Sequence, residues 1–143
     1  KNAIRYFEDM QERDVKPDGV TFKCVLTACN HASLALKGRD MFDAMTNVYH
    51  IVPTMDHYNC MVDILGRAGQ LKEAISMMNK MPYQPTIVAW SSVLAACRKW
   101  RDVKLGRHAF EYALLLDEKD VGTYVCMHNI YADNVVLKDA RKR

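Results

Sequence analysis

The chain repeats itself. Aromatic residues Phe22, Tyr58, Trp90 and Tyr124 are separated by 36, 32 and 34 positions, and the residue sixteen places after each is small: Gly38, Ala74, Gly106 and Ala140. Other columns keep step: Val25, Met61, Val93 and Met127 come three places on, Cys29, Leu65, Cys97 and Tyr131 seven, and Ala35, Leu71, Val103 and Leu137 thirteen. Within each half of a unit the apolar residues fall near i, i+3, i+4 and i+7, the spacing of one helix face. Each unit therefore predicts a helical hairpin. A lone hairpin of this length cannot bury its apolar face, so neighbouring units must stack around one continuous core. The predicted fold class is all-α: a right-handed α-solenoid of stacked antiparallel helical hairpins.

The stretch from Met55 to Ala74, MDHYNCMVDILGRAGQLKEA, shows how a unit is punctuated. An apolar helical segment stops at Gly66-Arg67-Ala68-Gly69 and a second pattern starts at once, which predicts the turn inside a hairpin. The recurring small residue in the second helix follows from packing, because two antiparallel helices approach closely only where one lacks a bulky side chain. Pro17, Pro53 and Pro85 lie five residues before three of the aromatics. Proline cannot continue a preceding helix and biases the residue before it towards extended backbone, so these prolines mark junctions. The expected units are 1–18 (the second helix of a truncated repeat), 19–54, 55–86, 87–120 and a truncated 121–143.

Composition supports a packed domain. Half of the 143 residues are hydrophobic, enough for a core. No apolar run approaches the roughly 18 residues a membrane span needs. The opening KNAIRYFEDM reads as an amphipathic helix with acidic members rather than a secretory or transit peptide, so the chain is expected to begin mid-structure. A net charge of +3 permits a polyanionic partner without demanding one. Five cysteines, an odd number set in apolar segments with no Cys-x-x-Cys pair, suit buried reduced thiols better than a disulfide framework.

Two hairpin-repeat families have periods near this one. The tetratricopeptide pattern fits poorly, since Trp90 lacks the Leu-Gly that should follow it. The strings VKPDGVTFKCVLTACNHA (Val15 to Ala32), HYNCMVDILGRAGQLKEA (His57 to Ala74), MPYQPTIVAWSSVLAACR (Met81 to Arg98) and TYVCMHNIYA (Thr123 to Ala132) instead resemble pentatricopeptide repeats. In order they resemble the junction into a long-type repeat, a short-type repeat and the two extension motifs that follow the repeat tract in plant organellar RNA-editing factors. The segments Ser33-Leu34-Ala35-Leu36-Lys37 and Asp133-Asn134-Val135-Val136 depart from the family's glycine-containing turns.

That resemblance implies sequence-specific binding of single-stranded RNA in a mitochondrion or chloroplast, directing conversion of a cytidine to uridine. It also implies two kinds of partner: a cytidine deaminase in the same chain or another, and accessory proteins of the multiple organellar RNA editing factor type. In the family the fifth and last residues of a repeat address one base, and second-position residues flank it. The matching positions are Lys23 with Thr54, Asn59 with Thr86, and Asp18 as the last residue of an upstream repeat; Val20 and Asp56 hold the second positions. Ser91 with Asp120 corresponds in the first extension motif. Asn59 carries both a donor and an acceptor for a base edge. Lys23 departs from the usual apolar residue and suits a phosphate or a partner, while Asp56 beside an RNA backbone is electrostatically unfavourable.

Plainer roles are set beside these. The repeated aromatics are expected in the hairpin core rather than as stacking platforms, Trp100 at an intra-unit turn suggests a partly exposed anchor for a partner, and Lys99, Arg101, Lys104 and Arg107 suit a solvated face better than a phosphate site. The Ala140-Arg141-Lys142-Arg143 end reads as a frayed helix. A zinc-dependent cytidine deaminase needs His-x-Glu and Pro-Cys-x-x-Cys, and neither occurs. His57 and Cys60 have a metal-like spacing with no second ligand pair, so no catalytic residue, metal or other cofactor is expected. The competing expectation is a protein-interaction scaffold that recruits editing partners without reading bases.

Overall fold

The computed structural model describes residues 2–142. Eight helices follow one another among them: α1 (Asn2–Glu12), α2 (Gly19–His31), α3 (Ala35–Asn47), α4 (Met55–Arg67), α5 (Leu71–Lys80), α6 (Ile87–Trp100), α7 (Val103–Leu116) and α8 (Val121–Lys142). Short loops fold α2 back on α3, α4 on α5 and α6 on α7, giving three antiparallel hairpins. The first helices stack directly, α2 on α4, α4 on α6 and α6 on α8. The backbones of the second helices α3, α5 and α7 stay apart. The result is an all-α solenoid with a crowded layer of first helices and an open layer of second helices. None of the helices is long and apolar enough to cross a membrane.

The repeat columns explain the core. Val25, Met61, Val93 and Met127 are all buried, as are Leu26, Val62 and Leu94 one place further on. Gly38 and Gly106 sit in equivalent surroundings: a Cβ on Gly38 would meet Cys29 and Ile64, and one on Gly106 would meet Cys97 and Ile130. Each small residue thus lies where the second helix meets its own first helix and the first helix of the next hairpin. Ala74 is buried in the same column, whereas Ala140 is exposed. The frayed end expected at Ala140–Arg143 falls partly outside the described residues.

The turns share a second column. Ser33, Gly69 and Arg101, each eleven places after its aromatic, have φ of 57°, 82° and 59°. A left-handed residue here ends the first helix and reverses the chain, as in common helix C-terminal motifs. The missing glycines at Ser33 and Arg101 therefore leave the turn intact. The fourth member of the column is Val135, and α8 runs unbroken through it. A β-branched side chain is strongly disfavoured at positive φ. The expectation of a hairpin in every unit is corrected at this point.

The aromatic column is buried unevenly. Phe22 is fully enclosed beside Phe7 and Tyr49, with ring centroids 5.2 and 5.4 Å away. Tyr58 and Trp90 are half-buried, and Tyr124 is 47% exposed. The purely structural expectation is corrected at Tyr124, which packs edge-on against Phe110 and donates its hydroxyl to the Glu118 carbonyl. With α8 unbroken, no second helix of the same unit covers its ring.

Candidate nucleic-acid interface

The first helices expose one stripe each along the crowded layer. On α2 it comprises Val20, Lys23, Cys24, Thr27 and His31; the same register on α4 gives Asp56, Asn59, Cys60, Asp63 and Arg67, and on α6 Val88, Ser91, Ser92, Ala95 and Lys99. These positions form rows running across the stack, because parallel first helices in adjacent hairpins are offset by one repeat. Cross-stack hydrogen bonds tie the rows together. Lys23 Nζ donates to Asp56 Oδ2 at 3.1 Å, and Asn30 Nδ2 to Asp63 Oδ2 at 2.7 Å. Thr27 Oγ1 and Cys60 Sγ lie 3.9 Å apart.

Asp18, Thr54, Thr86 and Asp120 share one structural position: each precedes a first helix, and three of the four use their side chains there. Asp18 Oδ1 accepts from both the backbone N–H and hydroxyl of Thr21, each at 2.9 Å. These bonds, the backbone one first, hold the Asp18 carboxyl below its ordinary value. Asp120 Oδ2 accepts the equivalent pair from Thr123 at 3.0 and 2.6 Å. Side-chain caps of this kind satisfy donors that the first helical turn leaves free.

Thr54 pairs with a histidine instead. His57 Nδ1 accepts the Thr54 backbone N–H at 2.9 Å with the Thr54 hydroxyl 3.0 Å away, so its other nitrogen carries the proton and donates to the Gly19 carbonyl at 2.7 Å. His57 is buried and bridges the starts of α2 and α4. Cys60 takes no part in this bridge and faces Thr27 instead, and no group of three His, Cys, Asp or Glu among the described residues could hold a metal.

Thr86 breaks the pattern because Ala89 occupies the place of Thr21, His57 and Thr123. Its Oγ1 is buried with no hydrogen-bond partner among the described residues, and so is Asn59 Oδ1. A buried polar atom without a partner costs about 1–3 kcal/mol. The two expected reading pairs therefore differ: Lys23 and Thr54 are engaged within the protein, whereas Asn59 and Thr86 each retain bonding capacity. Val20 is 68% exposed on the same layer, and Asp56 is paired with Lys23. That ion pair was not legible in the sequence, where the two residues belong to different units.

A row of His31, Arg67 and Lys99 also escaped the sequence reading. It lies at the ends of α2, α4 and α6, where the positive charges of Arg67 and Lys99 complement the helix dipole. Arg67 Nε lies 3.3 Å from Asp63, and Lys99 Nζ donates to the Arg67 carbonyl at 3.0 Å. Trp100, expected as a partly exposed anchor for a partner, is 46% exposed and also secures the preceding turn: its Nε1 donates to the Gly66 carbonyl at 2.9 Å and its ring covers Gly69.

Architecture and layer chemistry define a helical-hairpin repeat protein with a polar, cross-braced face built from its first helices. Residues 49–82 match the family model described as PPR repeat. The chain is 44% identical over 132 residues to pentatricopeptide repeat-containing protein At3g29230 of Arabidopsis thaliana, covering 92% of this chain and 22% of that protein. It is 40% identical over 142 residues to At5g40410, mitochondrial, of the same organism, covering 99% and 23%. The chain thus spans under a quarter of these relatives. The crystal structure of the pentatricopeptide repeat protein PPR10 from maize superposes with a TM-score of 0.79 at 16% identity, over 99% of this chain and 21% of that one, a likeness of fold. Residues 49–82 thus match a PPR repeat, and the chain is similar along nearly all of its length to parts of pentatricopeptide repeat proteins.

Proposed function

We propose that this chain is the RNA-binding module of an organellar C-to-U editing factor, holding single-stranded RNA along its first-helix layer and linking it to a cytidine deaminase. Residues 19–54 act as a long-type repeat, 55–86 as a short-type repeat, 87–120 as the first extension motif and 121–143 as part of the second. The chemistry at the cytidine is the deaminase's, and accessory editing-factor proteins dock alongside. A mitochondrial or chloroplast location accords with the name of one relative above.

The observation that carries this reading is the unmatched pair Asn59 Oδ1 on α4 and Thr86 Oγ1 at the start of α6. Asn59 is half-buried, so turning its carboxamide outward brings a donor and an acceptor to a base edge. Val20 and Val88 supply exposed apolar surface for base faces. Lys23 and Thr54, already satisfied, contribute little discrimination, and Asp18 remains a cap.

Fluorescence anisotropy with short RNAs differing at one base tests the proposal. Wild type should bind with a preference that Asn59→Ala erases and Lys23→Ala retains, and affinity should fall steeply with added salt. Binding indifferent to salt, base and Asn59→Ala would refute the reading.

A further inference from the structure

The open layer of second helices leaves a wedge between α5 and α7, floored by the start of α6. It holds a cavity of roughly 470 Å³. One wall carries a run of near-parallel rings: Trp90 and Tyr112 stack at 4.9 Å with planes 6° apart, and His108 lies 6.3 Å from Tyr112 at 23°. The Asn79 and Gln84 carboxamides line the same space. His108 also lines a second recess with Lys104, Arg107 and Glu111. Lys104, His108 and Tyr112 succeed one another at intervals of one turn along α7, about 6 Å each. A cationic recess and an aromatic cavity therefore open side by side on one helix face.

We propose that this wedge is a nucleotide site, with the base extending the Trp90–Tyr112–His108 stack and the phosphate held by Lys104 and Arg107. Aromatic faces accept any base, and the two carboxamides offer donors and acceptors to its edge. The Glu111 carboxylate opposes the phosphate, and the two cations outnumber it. No ion pair joins Lys104 or Arg107 to an acidic group among the described residues, leaving both cations available. Charge complementarity favours a nucleotide over a purely apolar peptide, which would use the cavity and leave the recess idle. The site lies in the second-helix layer, so it stands independently of base reading at Asn59.

The test titrates the whole chain with adenosine 5′-monophosphate, adenosine and an adenine hexanucleotide, read by calorimetry and tryptophan fluorescence. Adenosine monophosphate should bind and quench fluorescence. Tyr112→Ala, which removes the middle ring and so dismantles the stack on which the base rests, should weaken it about tenfold. The double variant Lys104→Ala/Arg107→Ala, which changes only exposed side chains, should weaken the nucleotide and spare adenosine. Asn59→Ala should leave all of these values unchanged, which separates this site from the reading face. The same Tyr112 dependence for the hexanucleotide identifies the ligand as part of a strand; dependence for the mononucleotide alone identifies a free nucleotide. Absence of nucleotide binding, or binding insensitive to both sets of variants, overturns the proposal. So does a proline-rich peptide that binds through Tyr112 where nucleotides do not.

Discussion

Replacing Gly66 and Gly38 by alanine should have different outcomes, although both glycines are buried in helices and both substitutions improve helix propensity by up to about 1 kcal/mol. At Gly66 the new Cβ would lie 3.0 Å from the Ala96 Cβ. Both atoms are fixed to backbone, and ordinary carbon contacts need about 3.5–4.0 Å. Relief requires α4 and α6 to separate where the two first helices pack directly on one another. Overpacking costs about 1–3 kcal/mol, and a clash between two backbone-fixed carbons belongs in the upper half of that range, about 2–3 kcal/mol, so after a propensity gain of about 1 kcal/mol the net loss should be about 1–2 kcal/mol. At Gly38 the nearest atom, 3.2 Å away, is the terminal methyl of Ile64, which a side-chain rotation can withdraw. An off-rotamer isoleucine costs about 0.5–1.5 kcal/mol, nearly cancelled by propensity. Urea unfolding followed by circular dichroism separates the cases: with a slope of about 2 kcal/mol per molar, Gly66→Ala should lower the midpoint by about 0.5–1 M and Gly38→Ala should leave it nearly unmoved. Adding Ala96→Gly to Gly66→Ala should recover part of the loss. Equal midpoints for Gly66→Ala and wild type would refute this account of the α4–α6 contact.

Two further perturbations follow from the site chemistry. Asp18, ordinarily titrating near 3.8, is held lower in the folded chain by Thr21. Its contribution is therefore complete above the unfolded value and lost as pH falls through the folded one. Asp18→Asn keeps a capping acceptor, so the stability gap between wild type and variant should close as pH falls from above the ordinary carboxylate value to below the lowered folded one; a constant gap would contradict the cap. Burial, with a smaller contribution from Asp102, pushes the Cys97 thiol up to about 12, and burial also raises Cys29 and Cys60. Iodoacetamide near pH 8 should therefore label exposed Cys24 first and leave Cys97 and Cys29 until the chain unfolds, as peptide mass mapping would show. Early labelling of Cys97 would be inconsistent with the packing around Gly106.

The solenoid was readable because its constraints recur. A small residue at Gly38 and Gly106 meets the same surroundings, and Ala74 is buried in the same column, so self-alignment finds the position without knowing what it touches. The turn column recurs as well, but in conformation rather than residue type: Ser33, Gly69 and Arg101 share a backbone geometry that identity conceals. Val135 in that column was the available warning that the last unit would stay helical. Among the site residues, the helix-start role of Asp18 and Asp120 could have been found from Asp-x-x-Thr before an apolar stripe. The Lys23–Asp56 pair could not, because its partners meet only through the offset of whole repeats. The same applies to His57, whose bond to Gly19 crosses 38 positions.

The spacing between α3, α5 and α7 also has a mechanical meaning. Adjacent hairpins are joined tightly along the first-helix layer, while the opposite rim is bridged by long side chains such as Arg39 and Glu73. Bending then turns about the first helices as a hinge line, with strain taken up by the wedges outside. Flexing about that line would open or close the cavity beside Tyr112 while scarcely changing the rise from one first-helix stripe to the next, as a leaf spring does.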